Sequence, residues 1–341
     1  MKRLLTVMLV SAFALLVSAC SGGEADGSSK NGSEKAVVLK MGTKMPQDTA
    51  EGQGFEHFAE LVNEKSDGSL QVKVYPAEQL GKGTTQIDNM LLGTQDMYAE
   101  GANYFQDFDA RIEVGSVPYL FRDFEHYQKF NTGEIGKDIE ENLIENGVRI
   151  LNTERNFRRG PYRVMLSKEP VKTVEDLKGL KLRSFESAFY SSAYNSVGAK
   201  PTVIAWTETY LGLKQGLVNA VTSPISLVWP MKFTEIAPYM TNIDEYPQDV
   251  VIAISEDKYS ELSEEHQKIL VEAANEAGEE ATKLTLDEVE KHMQMMKDDH
   301  GIEVFEIDKD EWVEAFSDYH YQLEKEGKIP EGFVDKIKSI E

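Results

Sequence analysis

The chain has 341 residues, of which 41% are hydrophobic, and a formal net charge of −23 at pH 7. A surface this acidic repels the phosphates of DNA and RNA, which argues against a nucleic-acid-binding protein. The single cysteine excludes an internal disulfide and a cysteine-based metal site. The length that remains after residue 35 is enough for two lobes at roughly 100–200 residues per domain.

The N-terminus has the order of a secretory signal peptide, predicted over residues 1–19. Lys2 and Arg3 precede an apolar run over residues 4–17 that is too short to span a bilayer stably. The run ends in Val-Ser-Ala-Cys, which is similar to a bacterial lipobox and predicts that Cys20 is lipidated; an ordinary signal peptide that happens to contain a cysteine is the alternative. Residues 20–35 are polar after Cys20 and predict a flexible tether, so we expect an extracytoplasmic protein held at the membrane by lipid.

Strand and helix patterns alternate in the first part of the remaining chain. Residues 36–42 are β-rich, and residues 70–75 alternate between apolar and polar. Residues 53–65 and 86–92 have apolar side chains at helical spacing. This order predicts an α/β lobe with a largely parallel sheet.

The same alternation returns near residue 160 and predicts a second α/β lobe there. Strands are predicted over 160–167, 180–184 and 217–223, and helices over 173–177, 186–197 and 210–216.

A long helix is predicted over residues 263–297, with Ser263 as its N-cap and Gly301 at its end. At about 35 residues it would be about 50 Å long, which exceeds one small lobe, so we expect it to brace both. Residues 301–307 are strand-like, and a final helix carries Trp312, Phe316 and Tyr319.

Motifs for catalysis or metal binding are missing from the sequence. It lacks HExxH, G-x-S-x-G, Walker A and G-x-G-x-x-G patterns, so we predict no metal, no cofactor and no enzymatic activity. His292 and His300 lie in a charged helical stretch and are interpreted as surface residues.

Two arginines fall on predicted strands of the second lobe. Arg183 ends one strand just before a helix that begins near Glu186, and Arg163 lies on the preceding strand. Ligands of open α/β sheets bind at the carboxyl ends of strands, where a guanidinium suits a carboxylate; a surface ion pair is the alternative. Trp206, in a loop, is either a core residue or a ligand platform, and Ser223, at a strand end with Thr222, could donate a hydroxyl bond.

Several motifs occur together in a recognisable order. They are EPVKTVEDLKGLKLRS at 169–184, VGAKPT at 197–202, TETYL at 207–211, SLQV at 69–72, QLG at 79–81 and VPYLF at 117–121. In this the chain resembles the substrate-binding proteins of tripartite ATP-independent periplasmic (TRAP) transporters, of the dicarboxylate-binding type, over nearly the whole length after the tether.

The resemblance implies a two-lobed flytrap fold, similar to periplasmic binding proteins, with a long helix spanning both lobes. Lobe I is expected to comprise residues 36–159 plus 249–288, and lobe II residues 160–248 plus 289–341. The receptor would bind a small organic acid between the lobes and deliver it to the small and large membrane subunits of a TRAP transporter.

The resemblance also implies site residues. Arg183 matches the arginine that clamps a ligand carboxylate, Arg163 a second arginine, and Trp206 an aromatic residue over the ligand. First-lobe contacts are expected near Lys44, Glu100 and Asn103, and Glu186 completes the candidate set.

One departure from the resemblance bears on the ligand. Many members carry Glu-Asn-Pro after the strand that is LVNAV here, whereas this chain has Thr222, Ser223 and Pro224. The shorter serine implies a different hold on the carboxylate or an unusual acid, and Trp229 nearby is either an apolar wall or core packing. Other functions left open are a solute-binding lipoprotein of an ATP-driven importer or sensor system, an α/β hydrolase or lyase, and a structural lipoprotein.

Overall fold

Two β-sheets organise the part of the chain that the computed structural model describes, residues 36–341. The predicted signal peptide, Cys20 and the tether up to residue 35 lie outside the described residues. The strands are β1 (Val37–Thr43), β2 (Leu70–Tyr75), β3 (Met97–Glu100), β4 (Val148–Ile150), β5 (Arg163–Ser167), β6 (Lys181–Ser184), β7 (Lys200–Val203), β8 (Ala220–Pro224), β9 (Tyr239–Asn242), β10 (Val251–Ser255) and β11 (Glu303–Glu306).

The first sheet has the strand order β2-β1-β3-β10-β4, and the second has the order β11-β9-β5-β8-β6-β7. Strand β10 is antiparallel to β3 and β4, and β5 is antiparallel to β8 and β9. In each sheet all strands but one therefore run in the same direction, which agrees with the largely parallel sheet predicted for the first lobe. Local alternation could not reveal the two reversed strands, because β5 and β10 each follow a segment that crosses from one sheet to the other.

Helices cover the faces of both sheets. They are α1 (Ala50–Lys65), α2 (Thr85–Leu91), α3 (Phe124–Thr132), α4 (Glu134–Glu145), α5 (Ala188–Ser196), α6 (Thr209–Gln215), α7 (Ile225–Val228), α8 (Glu256–Ser260), α9 (Glu264–His300), α10 (Lys309–Lys325) and α11 (Phe333–Lys338). Between residues 36 and 341, none of them combines the length and the apolar character that crossing a bilayer would need.

The long helix α9 has 37 residues and joins the two halves. The hydroxyl of Ser263 accepts a hydrogen bond from the backbone N–H of His266 at its start, and Gly301 ends it in a left-handed conformation. The helix packs on α1, beside the first sheet, and on α7, beside the second. At Gly54 of α1 a side chain would meet Ala281 of α9 at 2.5 Å, so the glycine permits the close approach of the two helices. The prediction of an α/β, two-lobed fold with a long helix spanning both lobes is confirmed.

Candidate binding cavity

A cavity lies between the two sheets, at the edge where several strands end. Lys44 directly follows β1, and Arg183 is the penultimate residue of β6. Thr222 and Pro224 lie in the C-terminal part of β8, toward the same edge. Ligands of open α/β sheets bind at this edge. The lining residues are Lys44, Asn103, Tyr104, Arg159, Arg163, Arg183, Phe185, Trp206, Thr222, Pro224, Leu227, Tyr246 and Gln248.

Arg183 brings an unpaired positive charge to the cavity. Its side chain is almost fully buried, with 5% of the residue exposed, and its Nε donates to the backbone oxygen of Ile204 at 3.0 Å. Within residues 36–341, neither Nη atom has a hydrogen-bond acceptor and no carboxylate forms an ion pair with the guanidinium. Burial lowers its pKa from the ordinary value, yet an arginine keeps its charge at neutral pH. The guanidinium therefore has two amino groups available to an anion.

Arg163 also lines the cavity, but protein groups already hold it. Its Nε donates to Oε1 of Glu245 at 3.1 Å, Nη1 to Oε1 of Gln248 at 2.6 Å, and Nη2 to the hydroxyl of Thr222 at 3.1 Å. The guanidinium carbon lies 4.1 Å from the centre of the Tyr246 ring. The charge of Arg163 is thus matched by Glu245, and its position is fixed on every side.

A buried network of charges forms the first-sheet wall. Arg159, which sequence reasoning missed, donates to both oxygens of Glu51 and, at 2.7 Å, to Oε1 of Glu100. The ammonium of Lys44 lies 2.8 Å from the same Glu100 oxygen. Thr49 caps α1 by accepting from Gly52, which places Glu51 in the first, buried turn of that helix. Glu100 ends β3 behind this wall and does not itself line the cavity.

The charges in this network shift the pKa values of its members. Burial alone would raise the pKa of Glu100, but the charges of Arg159 and Lys44 and the N–H of Gly101 outweigh it and lower the pKa to about 2. Burial lowers the pKa of Lys44 to about 8, although the carboxylate of Glu100 opposes that change. Glu100 is therefore ionised at neutral pH, whereas the pKa of Lys44 lies just above neutral pH.

Three further residues of the lining carry buried polar groups without a protein partner. They are the indole N–H of Trp206, the amide nitrogen of Asn103 and the hydroxyl of Tyr246. The Trp206 ring lies 5.3 Å from the guanidinium carbon of Arg183 and 5.7 Å from the ammonium of Lys44. Trp206 also packs edge-on against Phe233, so the ring serves both the core and the cavity wall.

Of the eight predicted binding residues, five line the cavity, and Glu100 supports it from behind. Ser223 does not line it: its hydroxyl donates to the backbone oxygen of Pro224 at 2.9 Å, and the adjacent Thr222 faces the cavity instead. Successive residues of a strand point to opposite sides, which explains the exchange. Glu186 is exposed and accepts a hydrogen bond from the backbone N–H of Thr84 at 3.1 Å.

Other residues came to the site without a local signal. Tyr246 and Gln248 belong to the crossing segment between β9 and β10, and Tyr104 and Phe185 flank predicted site residues. Trp229 lies away from the cavity and stacks on the rings of His300 and His292 with centroids at 5.3 and 6.3 Å. In residues 36–341, no three His, Cys, Asp or Glu side chains gather as metal ligands would.

Comparisons with known proteins agree on one kind of protein. The profile of the family described as bacterial extracellular solute-binding protein, family 7, matches residues 41–326. The 2,3-diketo-L-gulonate-binding periplasmic protein YiaO of Escherichia coli is 32% identical over 284 residues, which cover 83% of this chain and 84% of that protein. The C4-dicarboxylate-binding periplasmic protein DctP of Rhodobacter capsulatus is 28% identical, over 84% of this chain and 86% of that protein.

Solved structures show the same similarity. A TRAP periplasmic solute-binding protein from Roseobacter denitrificans with bound L-galactonate is 27% identical and superposes with a TM-score of 0.81, covering 90% of this chain and 100% of that one. A TRAP periplasmic solute-binding protein from Ochrobacterium anthropi with bound L-fuconate is 26% identical, with a TM-score of 0.82 over 89% of this chain and 99% of that one.

The buried network predicts a stability cost for Glu100→Gln. The variant removes the carboxylate that pairs with Lys44 and one of the two carboxylates that pair with Arg159, while Glu51 remains. We expect a loss of about 3 kcal/mol in the free energy of unfolding, because buried charges lose their partner. Urea unfolding of the ligand-free protein measures it.

The matched control is Glu175→Gln, which removes the partner of Lys178 in an exposed ion pair. Such a pair contributes less than about 1 kcal/mol. Equal losses in the two variants would contradict the role assigned to Glu100.

Proposed function

Since the chain belongs to family 7 of the bacterial extracellular solute-binding proteins, we propose that it captures a small organic acid in the cavity between its two sheets. Arg183 anchors the carboxylate, and the bound receptor delivers the acid to a TRAP-type transporter. The protein is an extracytoplasmic receptor, and the proposal gives it no catalytic step.

The unpaired guanidinium of Arg183 carries the proposal. A buried charge without a partner is costly, and a carboxylate offers the two parallel, charge-assisted hydrogen bonds that the Nη atoms can make. Arg163 and Arg159 reinforce the positive potential but are neutralised by Glu245, Glu51 and Glu100. Arg183 is therefore the strongest candidate for direct contact with the ligand.

The ligands named for similar proteins support an acid. The E. coli relative is named for 2,3-diketo-L-gulonate, and the two solved structures hold L-galactonate and L-fuconate. Each of these compounds has one carboxylate. A guanidinium that is free within the cavity suits this shared group.

Closure of two lobes over the acid is the proposed mechanism. We assign residues 36–159 plus 249–288 to lobe I and residues 160–248 plus 289–341 to lobe II; the strands of the first sheet fall in the first set and those of the second sheet in the other. Lys82 and Glu208, and Thr84 and Glu186, connect the two sets beside the cavity. A ligand that touches both lobes favours the closed state by its higher affinity for it.

Delivery of the acid to the transporter and attachment of the receptor to the membrane complete the proposal. The small and large membrane subunits of a TRAP transporter would accept the closed, loaded receptor. Lipidation of Cys20 would hold the receptor at the membrane. The lipobox-like residues before Cys20 support this part of the proposal.

Replacement of Arg183 is expected to separate stability from binding. Arg183→Met removes a buried charge with one backbone hydrogen bond, so the melting temperature of the ligand-free protein should rise. The acid should lose about 2–5 kcal/mol of binding free energy because its carboxylate is left without a partner. Arg183→Lys should also bind more weakly, since an ammonium lacks the planar fork.

Calorimetry and thermal unfolding measure both effects. Arg111→Met, which removes an arginine paired with Asp109 and Asp138 away from the cavity, is the control and should leave affinity unchanged. Unaltered affinity in both Arg183 variants would remove this residue from the site.

The titration of Lys44 predicts a pH-dependent affinity. Its ammonium is present below a pKa of about 8 and is lost as the pH rises through that value. A bound anion favours the charged form and raises this pKa, so binding takes up a proton and affinity falls above pH 8 by up to about tenfold per pH unit. Calorimetry between pH 7 and pH 9 tests this. Lys44→Met should bind more weakly with a flat profile, and an equally steep profile in that variant would exclude Lys44 as the cause.

The lipid anchor predicts that Cys20→Ala releases the protein from membranes, because the acceptor of the lipid is absent. Fractionation of cells that express each form measures the share in the membrane pellet. Replacement of Ser21 by alanine is the control and should leave the protein membrane-bound. A Cys20→Ala protein that still sediments with membranes would count against lipidation.

A further inference from the structure

The cavity has one net positive charge. Four cations line it: Lys44, Arg159, Arg163 and Arg183. Three carboxylates neutralise them, since Glu51 and Glu100 pair with Arg159 and Lys44, and Glu245 pairs with Arg163.

Burial raises the pKa of Glu51, but the charge of Arg159 and its hydrogen bonds to both carboxylate oxygens favour the ionised form. One negative charge on the ligand therefore completes the balance. A neutral Glu51 would leave two net positive charges and would favour a dicarboxylate.

The unpaired polar groups of the lining are mainly hydrogen-bond donors. The donors are the two Nη groups of Arg183, the amide nitrogen of Asn103 and the indole N–H of Trp206, and the unpaired hydroxyl of Tyr246 can donate or accept. The hydroxyl of Thr222 already accepts from Arg163 and bonds to Tyr190, and Oε1 of Gln248 accepts from Arg163. A ligand with several hydroxyl groups would bring several donors, for which the buried unpaired groups of the lining offer one acceptor, the Tyr246 hydroxyl. A ligand whose polar atoms are acceptors would satisfy the buried donors, each of which is costly when left unpaired.

One of these donors, the indole of Trp206, belongs to a ring close to the anchor of the carboxylate. The Trp206 ring is 5.3 Å from the guanidinium carbon of Arg183, and both residues are almost fully buried. An acceptor on the carbon next to the carboxylate lies nearer the Trp206 ring than an acceptor at the far end of a long chain would. This favours an oxygen at the second carbon of the acid.

The remaining walls of the cavity are apolar or aromatic. They are formed by Tyr104, Phe185, Leu227 and Tyr246, together with the faces of Trp206 and Pro224. A short hydrocarbon chain or ring fills such a space better than a chain of hydroxyl groups.

We infer that the ligand is a compact 2-oxo monocarboxylate with an apolar remainder. This inference rests on the proposed function and narrows it. The carboxylate binds Arg183, the keto oxygen accepts from the free donors of Asn103 and Trp206, and the hydrocarbon part packs against the aromatic wall.

Acids with related carbon skeletons test the inference. The panel is 4-methyl-2-oxopentanoate, 2-hydroxy-4-methylpentanoate, 4-methylpentanoate, 2-oxoglutarate and gluconate. Thermal shift and calorimetry on the purified receptor should rank the first acid highest, with each of the others at least about tenfold weaker. Strongest binding of 2-oxoglutarate or gluconate would overturn the inference and leave the proposed function intact. An absence of binding by every acid would contradict both.

Asn103→Leu tests the keto contact separately. The variant lacks the amide donor but keeps a similar size, so the preference for 4-methyl-2-oxopentanoate over 4-methylpentanoate should fall about tenfold. Asn146→Leu, at an exposed position at the end of α4, is the control and should keep the wild-type preference. An unchanged preference in a folded Asn103→Leu protein would overturn the assigned contact.

Discussion

A buried guanidinium without a protein counter-charge is the constraint on which the site depends. Arg183 is withdrawn from water by Trp206, Phe185 and the strands on either side of β6, yet its two Nη atoms have no acceptor among residues 36–341. Such an arrangement weakens the ligand-free fold, because the charge loses hydration without gaining a partner. Binding of a carboxylate restores the missing interaction, so the same feature that lowers stability supplies affinity.

Carboxylates neutralise the other cations of the cavity, so the attraction for an anionic ligand is concentrated at Arg183. Glu100 and Glu51 hold Arg159, and Glu245 holds Arg163. The site therefore offers one uncompensated charge in a chain whose net charge is −23. Surface charges act over only about 8 Å at physiological salt, so the acidity of the whole chain does not decide the charge of the ligand.

The sequence predicted the parts of the site that follow from local pattern. Helix α9 has an uninterrupted helical spacing of apolar residues, and Arg183 lies next to the end of the short strand β6, shortly before a helix. Arg159 and Gln248 escaped prediction because they lie in crossing segments without periodicity, where only the tertiary fold brings them to the cavity. Ser223 was preferred to its neighbour Thr222, and only the register of β8 decides which of two successive residues faces the ligand. The reversed direction of β5 and β10 likewise could not be predicted from local sequence patterns.

A crystal structure of the complex with the acid that gives the largest thermal shift tests the central claim most directly. Both carboxylate oxygens should lie about 2.7–2.9 Å from the Nη atoms of Arg183, with the rest of the acid between the two sheets. A carboxylate that binds at another group, or an acid that binds outside the cavity while Arg183 stays unpaired, would contradict the account.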